Sequence, residues 1–292
     1  MAEMKWKHGS TWYRIVGDLS GPKTPVMVLH GGPGAAHNYC EPIADLMAKT
    51  GRGAVLYDQI GCGNSTHLPD KPKEFWTPEL FMEELVLLTQ ELGIDSKFNI
   101  IGQSWGGMLG MQFATHKPKG LNALVVADSP ASMEVWVSEA NKLRKELPAE
   151  VEATLLKHEA AGTTEDPEYV AAVDVFYSRH LCRIPQPPCV VASFEQLAKD
   201  PTVYHTMNGP SEFHVIGSLK TWDIRPDLKN ISVSTLLVSG QYDEATPAMV
   251  KEVNGLIPGS KWELFAESSH MPHVEEPAKF MRVVSSFLDS HD

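Results

Sequence analysis

Short apolar runs that end at turns recur through the first 130 residues of the chain. They lie at residues 26–29, 54–57, 98–101 and 124–127, and three of them are followed directly by a glycine or an aspartate. A continuous apolar run of this length is typical of a strand buried on both faces, as in a parallel sheet. Helix-length segments separate the runs, at 79–92 and 105–116. The alternation predicts a doubly wound α/β fold with a mostly parallel sheet.

The pattern changes between residues 131 and 225. Charged amphipathic segments follow one another there without a strand, at 135–147, 150–161 and 168–180. A strand at 233–238 then restores the first pattern, and a helix, a short strand and a terminal helix follow it. We therefore expect a core in two parts, residues 1–130 and 226–292, with a helical cap inserted at residues 131–225.

Composition excludes several classes of function. The 292 residues include 25 basic and 37 acidic side chains, and the net charge of −12 disfavours nucleic acid and anionic membrane surfaces as partners. No run approaches the ~20 apolar residues of a membrane-spanning helix, and the first residues lack the apolar stretch of a signal peptide. The four cysteines have no metal-binding spacing. We expect a cytoplasmic protein without a metal or an organic cofactor.

The segment Gly102-Gln103-Ser104-Trp105-Gly106 carries a G-x-S-x-G motif between a predicted strand and a predicted helix. This context is typical of a nucleophile elbow, in which a tight turn exposes the serine hydroxyl. Small residues are needed two positions before and after the serine, and both are glycine here. The alternative is a serine that caps an ordinary helix. We interpret Ser104 as a catalytic nucleophile.

A serine nucleophile needs a histidine base and an acid that orients it, which in this fold follow in the order serine, acid, histidine. His270 lies on a late loop between a predicted strand and the terminal helix, and His273 is the alternative base. Asp243 follows the first strand after the insertion, whereas Asp128 follows the strand before it. We predict the triad Ser104, Asp243 and His270.

Backbone N–H groups that stabilise an oxyanion are expected at two places. The first is Trp105, which follows the serine at the start of the helix. The second is the loop His30-Gly31-Gly32-Pro33-Gly34 after the first apolar run, because glycines let the backbone approach a substrate closely. We predict an oxyanion hole formed by the N–H groups of Gly32 and Trp105.

These motifs together resemble the proline iminopeptidase (prolyl aminopeptidase) family of serine α/β-hydrolases. The resemblance rests on HGGPG at 30–34, DQIGCGNS at 58–65, GQSWGG at 102–107, and the late aspartate and histidine. The segment NGPSEF at 208–213 looks like the cap of the smaller, tricorn-interacting type. The resemblance implies an α/β-hydrolase fold and an aminopeptidase that acts on short peptides or amino-acid amides with a free N-terminus.

The resemblance also implies that Glu212 and Glu244 bind the α-ammonium of the substrate. A pair of carboxylates can offset the cost of burying an ammonium and selects against an acylated amine. Ile60 stands where many members have arginine, so a broad preference for small and apolar residues is as consistent with the sequence as a strict preference for proline. Four aromatic residues are candidates for lining the substrate pocket or for packing beneath it: Trp105, Trp136, Phe213 and Trp222.

Two other functions remain open from the sequence. An L-amino-acid amidase or a carboxylesterase would use the same triad, and an esterase would not need Glu212. A non-catalytic ligand receptor on a hydrolase fold is disfavoured, because the elbow, the glycine loop and the acid residues are all present.

Overall fold

Eight strands form one sheet at the centre of the molecule, for which the computed structural model describes residues 2–292. The strands are β1 (Ala2–Trp6), β2 (Gly9–Val16), β3 (Val26–Leu29), β4 (Ala54–Tyr57), β5 (Phe98–Gln103), β6 (Leu121–Ala127), β7 (Ser234–Gly240) and β8 (Lys261–Phe265). They lie in the order β1-β2-β4-β3-β5-β6-β7-β8. The pairs β1–β2 and β2–β4 are antiparallel, and the remaining five pairs are parallel.

The register of the parallel strands brings their carboxyl ends to one edge. Leu29 pairs with Gly102, Gln103 with Ala127, and Gly240 with Phe265. The loops after β3, β5, β6, β7 and β8 therefore meet at that edge, which is where ligands bind in open α/β sheets. Strands β3, β4 and β5 are buried along their whole length, as the continuous apolar runs predicted.

Eleven α-helices accompany the sheet within residues 2–292. They are α1 (Glu41–Lys49), α2 (Pro78–Glu91), α3 (Trp105–Thr115), α4 (Met133–Arg144), α5 (Ala149–Ala161), α6 (Pro167–His180), α7 (Pro188–Lys199), α8 (Thr202–Met207), α9 (Pro247–Leu256), α10 (Pro272–Glu275) and α11 (Pro277–Asp289). The starts of α2 and α9 share one local signal. Thr77 and Thr246 accept a hydrogen bond from the backbone three residues on, and a proline occupies the first helical position.

The helices cover the sheet on both faces. Helices α2, α3 and α9 pack on one face, where Leu85 and Leu109 join a large apolar core with Ile100 of β5. Helices α1 and α11 pack on the other face, where Ile43 and Val284 contribute to a second core. The two cores give the three-layer architecture of a doubly wound α/β fold, and the predicted fold class is confirmed.

Helices α4 to α8 follow one another between β6 and β7. Part of this segment has a small apolar core of its own, which includes Leu155, Phe176 and Phe213. The buried Arg144 lies beside that core, with its guanidinium 4.8 Å from the ring centroid of Phe213 and its Nη1 3.0 Å from Glu159. The domain boundaries at 130/131 and 225/226 stay a prediction.

The amino-terminal strands were not predicted. The side chains of β1 and β2 are mostly half-buried or exposed, so no continuous apolar run marks either strand. They add an antiparallel edge to the otherwise parallel sheet. Within residues 2–292, no helix is both long enough and apolar enough to cross a membrane.

Candidate active site

Ser104 lies at the sharp turn between β5 and α3. Its backbone adopts φ 56° and ψ −123°, a conformation that is strained for a residue with a side chain. The turn depends on its glycines. A Cβ on Gly102 would lie 2.1 Å from the carbonyl oxygen of Gly106, and a Cβ on Gly106 would lie 2.1 Å from that of Leu29. The geometry is that of a nucleophile elbow.

His270 and Asp243 are hydrogen-bonded to each other. Nδ1 of His270 lies 2.6 Å from Oδ1 of Asp243, and the same oxygen accepts a 2.8 Å hydrogen bond from the N–H of Ala245. Asp243 follows β7, and His270 lies between β8 and α10. Burial opposes the imidazolium, but the negative charge and hydrogen bond of Asp243 outweigh it, and the pKa of His270 is raised above its usual value.

The loop that carries His270 is fixed on both sides. The carboxylate of Glu275 accepts hydrogen bonds from the N–H groups of Ser269 (2.8 Å) and Met271 (3.3 Å). The side-chain amide of Gln103 donates a 2.8 Å hydrogen bond to the carbonyl oxygen of His270. Gln103 precedes Ser104, so this contact ties the histidine loop directly to the elbow.

The glycine loop after β3 lies against Ser104. A Cβ on Gly31 would lie 2.8 Å from Cβ of Ser104, and Gly32 lines the same cavities as the serine. The N–H of Trp105 is the first backbone donor of α3, and the first four N–H groups of a helix have no acceptor within the helix. Both predicted oxyanion donors thus belong to segments that adjoin the serine.

A hydrogen-bond network that the sequence did not reveal supports this loop. The hydroxyl of Tyr39 accepts from the N–H of Gly31 at 2.6 Å and donates to Oε1 of Gln103 at 2.5 Å. Gln59 accepts a 2.9 Å hydrogen bond from the indole of Trp105 and donates one of 3.0 Å to the carbonyl oxygen of His30. These contacts join residues up to 64 positions apart, and no local pattern marks them.

A cavity of about 380 Å³ lies above Ser104. Ser104, His270, Gly32 and Glu212 form part of its wall. Most of the remaining wall consists of apolar and aromatic side chains from α6 to α8 and from the segment before α7: Tyr169, Val173, Tyr177, Leu181, Val190, Phe194, Leu197 and Tyr204. The wall also reaches exposed residues of the helical segment, among them Val170 and His205, so the cavity opens to solvent there.

A second, smaller cavity of about 10 Å³ adjoins the serine. Ser104, Gly32 and Glu212 line it as well, and the rest of its wall is mostly buried and apolar: Pro33, Met108, Pro130, Met133, Trp136, Asn208 and Leu219. Of the four aromatic candidates from the sequence, Trp136 lies in this wall, and its ring packs edge-on against His270 with centroids 6.1 Å apart. The cavity has room for about one water-sized group.

Glu212 and Glu244 both lie close to the proposed triad, but only Glu212 faces the cavities. Glu212 faces both cavities and accepts a 2.7 Å hydrogen bond from the hydroxyl of Tyr204. Glu244 is completely buried and is not part of either cavity wall. Its Oε1 lies 3.8 Å from Nε2 of His270, and neither of its carboxylate oxygens has a hydrogen-bond partner among residues 2–292.

Both glutamates have raised pKa values. Burial raises the pKa of Glu212, and burial together with the charges of Glu212 and Asp243 raises that of Glu244 well above its usual range. Two such carboxyls resist ionisation unless a cation arrives to compensate their charge. A cation beside these carboxyls would supply both a compensating charge and hydrogen-bond donors for the unpartnered oxygens of Glu244.

His273 and Asp128, the alternative base and acid from the sequence, lie away from the pair formed by His270 and Asp243 or behind it. His273 is buried, with Nε2 3.1 Å from the carbonyl oxygen of Tyr39, and burial lowers its pKa to about 4. Asp128 is buried beside Asp243 at the end of β6. One group with metal-ligand geometry, His158, Asp166 and Glu168, occurs among the described residues. It lies at the α5–α6 junction, where Lys157 Nζ already pairs with Glu168 at 2.6 Å.

A serine on a strand-to-helix turn of a doubly wound sheet defines a class of hydrolases, and comparison with known proteins places the chain in it. Residues 24–277 match the family described as alpha/beta hydrolase fold. The chain therefore belongs to the α/β-hydrolases.

Within this class, the chain belongs to the proline iminopeptidase family. It is 36% identical over 290 residues to a Proline iminopeptidase of Clostridium botulinum, which covers 99% of this chain and 98% of the relative. A solved Proline iminopeptidase of Mycobacterium smegmatis has a TM-score of 0.92 at 45% identity, covering 99% of this chain and 98% of that one. The crystal structure of VinJ has a TM-score of 0.97 at 48% identity, covering 100% and 98%. The family resemblance seen in the motifs is confirmed.

Proposed function

We propose that this protein is a serine aminopeptidase that removes an N-terminal proline, or another small or apolar residue, from short peptides or amino-acid amides with a free α-amine. The observation that carries the proposal is that one cavity is lined by Ser104 and His270 and also by the carboxyl group of Glu212. A serine–histidine pair cleaves acyl bonds, and a carboxylate beside it selects a substrate with a positive charge next to that bond.

The reaction begins when Nε2 of His270 takes the proton of the Ser104 hydroxyl. Oγ attacks the first carbonyl carbon of the substrate, while Asp243 holds the histidine tautomer and stabilises the imidazolium. When the tetrahedral intermediate collapses, His270 returns the proton to the leaving amine and an acyl-enzyme remains. Water, deprotonated by His270, then releases the amino acid and restores Ser104.

The N–H groups of Gly32 and Trp105 stabilise the negative charge that develops on the carbonyl oxygen. Backbone donors of this kind act in a site that excludes water, where each is worth about 3–4 kcal/mol of transition-state stabilisation. The close approach of the glycine loop to Ser104 supports this role, because a side chain at Gly31 would collide with the nucleophile.

Glu212 and Glu244 bind the α-ammonium of the substrate. The unpartnered oxygens of Glu244 and the raised pKa values of both glutamates support this role, because an ammonium supplies the missing hydrogen bonds and the compensating charge. An ammonium held here sets the register, so the first carbonyl of the chain faces Ser104 and one residue leaves in each cycle.

The two cavities divide the substrate. A peptide must extend to solvent, and the larger cavity opens at exposed residues, so the leaving group lies there. The side chain of the first residue then points into the small cavity between Ser104 and Glu212, which admits a methyl group and must widen to take a proline ring. Its small volume and apolar walls favour small, apolar first residues over large ones.

A carboxylesterase would use the same triad but would leave the buried glutamates without a role. We therefore favour substrates with a free amine, whether peptides or amino-acid amides. We also propose a cytoplasmic location, because all four cysteines, each within the described residues, are free thiols.

Hydrolysis of the 2-naphthylamides of proline, alanine, leucine and phenylalanine tests the proposal. We expect turnover, with proline and alanine preferred to phenylalanine. Ser104→Ala should lower kcat by about 10⁴- to 10⁶-fold without loss of folding, since the serine forms the acyl-enzyme. If the variant cleaves these amides as fast as the wild type, the assignment of the nucleophile is wrong.

A further inference from the structure

Asp128 is a buried acid that the proposed mechanism does not use. It follows β6 directly, its φ of 56° is positive, and its N–H donates a 2.9 Å hydrogen bond to the carbonyl oxygen of Val238 on β7. Its side chain has no exposed surface and lies against the carboxyl group of Asp243. The carboxyl groups of Asp128 and Asp243 therefore lie side by side, next to the proposed catalytic histidine.

The hydrogen bonds of this pair are incomplete if both carboxyls are ionised. Oδ1 of Asp243 accepts from His270 and Ala245, but its Oδ2 and both oxygens of Asp128 have no donor among residues 2–292. Buried polar atoms without partners are rare in folded proteins. A single proton shared by the two carboxyl groups supplies a hydrogen bond between them, because the protonated acid donates to the ionised one.

The proton belongs on Asp128. Asp243 receives the charged or polar donors of His270 and Ala245, which stabilise its anionic form. Burial, together with the charges of Asp243 and Glu275, outweighs the effect of the backbone N–H of Gly240 on Asp128, and the pKa of Asp128 is raised well above the usual range. Two contacting carboxyls of this kind share one proton, as like charges in contact cannot both ionise.

Other titratable groups around the pair do not change this assignment. They are Glu244 after β7, Glu275 in α10, Tyr39 before α1, His180 at the end of α6, and His270 itself. Glu275 adds negative charge, which further disfavours ionisation of Asp128, whereas burial keeps Glu244 itself from ionising readily. Nδ1 of His180 is engaged with the carbonyl oxygen of Tyr242 at 2.9 Å.

We propose that Asp128 is a positioning residue: a neutral carboxylic acid whose O–H group donates a hydrogen bond to Oδ2 of Asp243. This hydrogen bond holds Asp243, the triad acid, as an oriented anion that faces His270. The proposal rests on the proposed triad. The hydrogen bond disperses the charge of Asp243 and limits how strongly that charge retains a proton on the imidazole. Asp128 thereby helps to set the pH at which the histidine becomes a base.

Two substitutions separate this role from its alternatives. In Asp128→Asn the side-chain amide replaces the O–H donor, so kcat/KM should stay within about threefold of the wild type. The acid limb of the pH profile, where kcat/KM falls as His270 becomes protonated, should stay at the same pH. In Asp128→Ala the donor is lost, so kcat/KM should fall by about ten- to a hundredfold, the factor for a buried acceptor left unsatisfied. Its acid limb should also move to higher pH, because the undispersed charge of Asp243 retains the His270 proton more strongly.

Two other roles for Asp128, as an anion or as the triad acid itself, predict different results and would overturn the proposal. If Asp128 is an anion, Asp128→Asn removes a negative charge near His270 and moves the acid limb to lower pH. If Asp128 is itself the triad acid, Asp128→Asn abolishes activity and Asp243→Asn does not. The profiles should be measured with p-nitrophenyl acetate as well as an aminoacyl amide, since the ester needs no ammonium site.

Infrared difference spectra give a readout that is independent of turnover. The wild type at neutral pH should show the carbonyl band of a protonated carboxylic acid that is absent from folded Asp128→Asn, whereas bands from other buried acids cancel in the difference. A missing band contradicts the neutral Asp128. A band in an enzyme that cleaves no aminoacyl amide would refute the proposed function and leave this proposal intact.

Discussion

At the scale of single residues, the site is a set of buried acids arranged around one histidine. Asp243 touches His270 directly, and Glu212, Glu244 and Asp128 surround the pair. Asp128, Asp243 and Glu244 are almost completely buried, whereas Glu212 is partly exposed where it faces the cavities. These acids meet at one edge of the sheet, where Asp243 raises the pKa of the histidine and where, in the proposed function, Glu212 and Glu244 bind a cation.

The pH dependence of activity tests the environment of His270. The base must be neutral to accept the serine proton, and its pKa is raised by Asp243. We expect kcat/KM to fall about tenfold per unit as pH drops below an apparent pKa above the usual ~6.5 of histidine, and to fall again above about pH 8, where the α-ammonium of the substrate loses its proton. Stopped assays on alanine 2-naphthylamide between pH 5 and 9 measure this limb. A limb well below 6.5 would contradict the ion pair with Asp243.

At the scale of elements, strand ends and glycine turns build the site. The elbow after β5, the glycine loop after β3 and the loops after β7 and β8 meet because five parallel pairs place their carboxyl ends together. The helices of the 131–225 segment close this edge and supply Glu212 and most of the apolar wall. In the proposed mechanism, loops at the ends of rigid strands hold the reacting groups, and the helices that follow β6 hold the substrate.

A substitution in the glycine loop tests how closely it must approach the nucleophile. In Gly31→Ala the new Cβ would lie 2.8 Å from both Cβ of Ser104 and the hydroxyl of Tyr39, so the loop must move away. We expect kcat to fall by about 10²-fold or more, because a shift of about 1 Å misaligns an oxyanion donor. Gly255→Ala, in α9 with no atom within 4 Å of the new Cβ, is the control and should keep full activity.

The elements that could be predicted are those marked by a clear pattern in a short stretch of sequence. Strands β3 to β7 could be predicted because both of their faces are mostly buried, and the elbow because glycines flank its serine. The short strand β8 was also predicted, although several of its side chains are partly exposed. Strands β1 and β2 were missed because their exposed sides interrupt any apolar run. The order serine, acid, histidine pointed to His270 and Asp243, whereas the contact between Asp128 and Asp243 joins residues 115 positions apart and leaves no trace in local sequence.

At the scale of the whole molecule, a buried acid outside the active site influences stability. Glu84 of α2 has no exposed surface, accepts hydrogen bonds from the Thr11 hydroxyl (2.5 Å) and the N–H of Ile60 (3.1 Å), and joins β2 to the segment after β4. Burial raises its pKa to about 8. In the unfolded chain it ionises near its usual value of about 4.3, so the two states differ in charge between these limits.

This difference makes stability depend on pH. Because the folded pKa is raised, the contribution of Glu84 is fully present below about pH 4 and is lost as pH rises through about 8, by an amount on the order of 5 kcal/mol. We expect Glu84→Gln to flatten the fall in Tm between pH 5 and 8.5 by several degrees. Glu91→Gln, an exposed acid on the same helix, is the control. Parallel Tm curves for Glu84→Gln and the wild type would show that Glu84 ionises normally in the folded state.

The proposed requirement for a free α-amine is tested most directly by comparing a free substrate with its acetylated form. The ratio of kcat/KM for alanine 2-naphthylamide to that for its N-acetyl derivative should be at least about 10³ in the wild type, since acetylation leaves the buried carboxyls of Glu212 and Glu244 without a cation. In Glu212→Gln the ratio should fall by about tenfold or more, mainly through loss of the free-amine substrate. Equal turnover of free and acetylated substrates by the wild type would contradict the account.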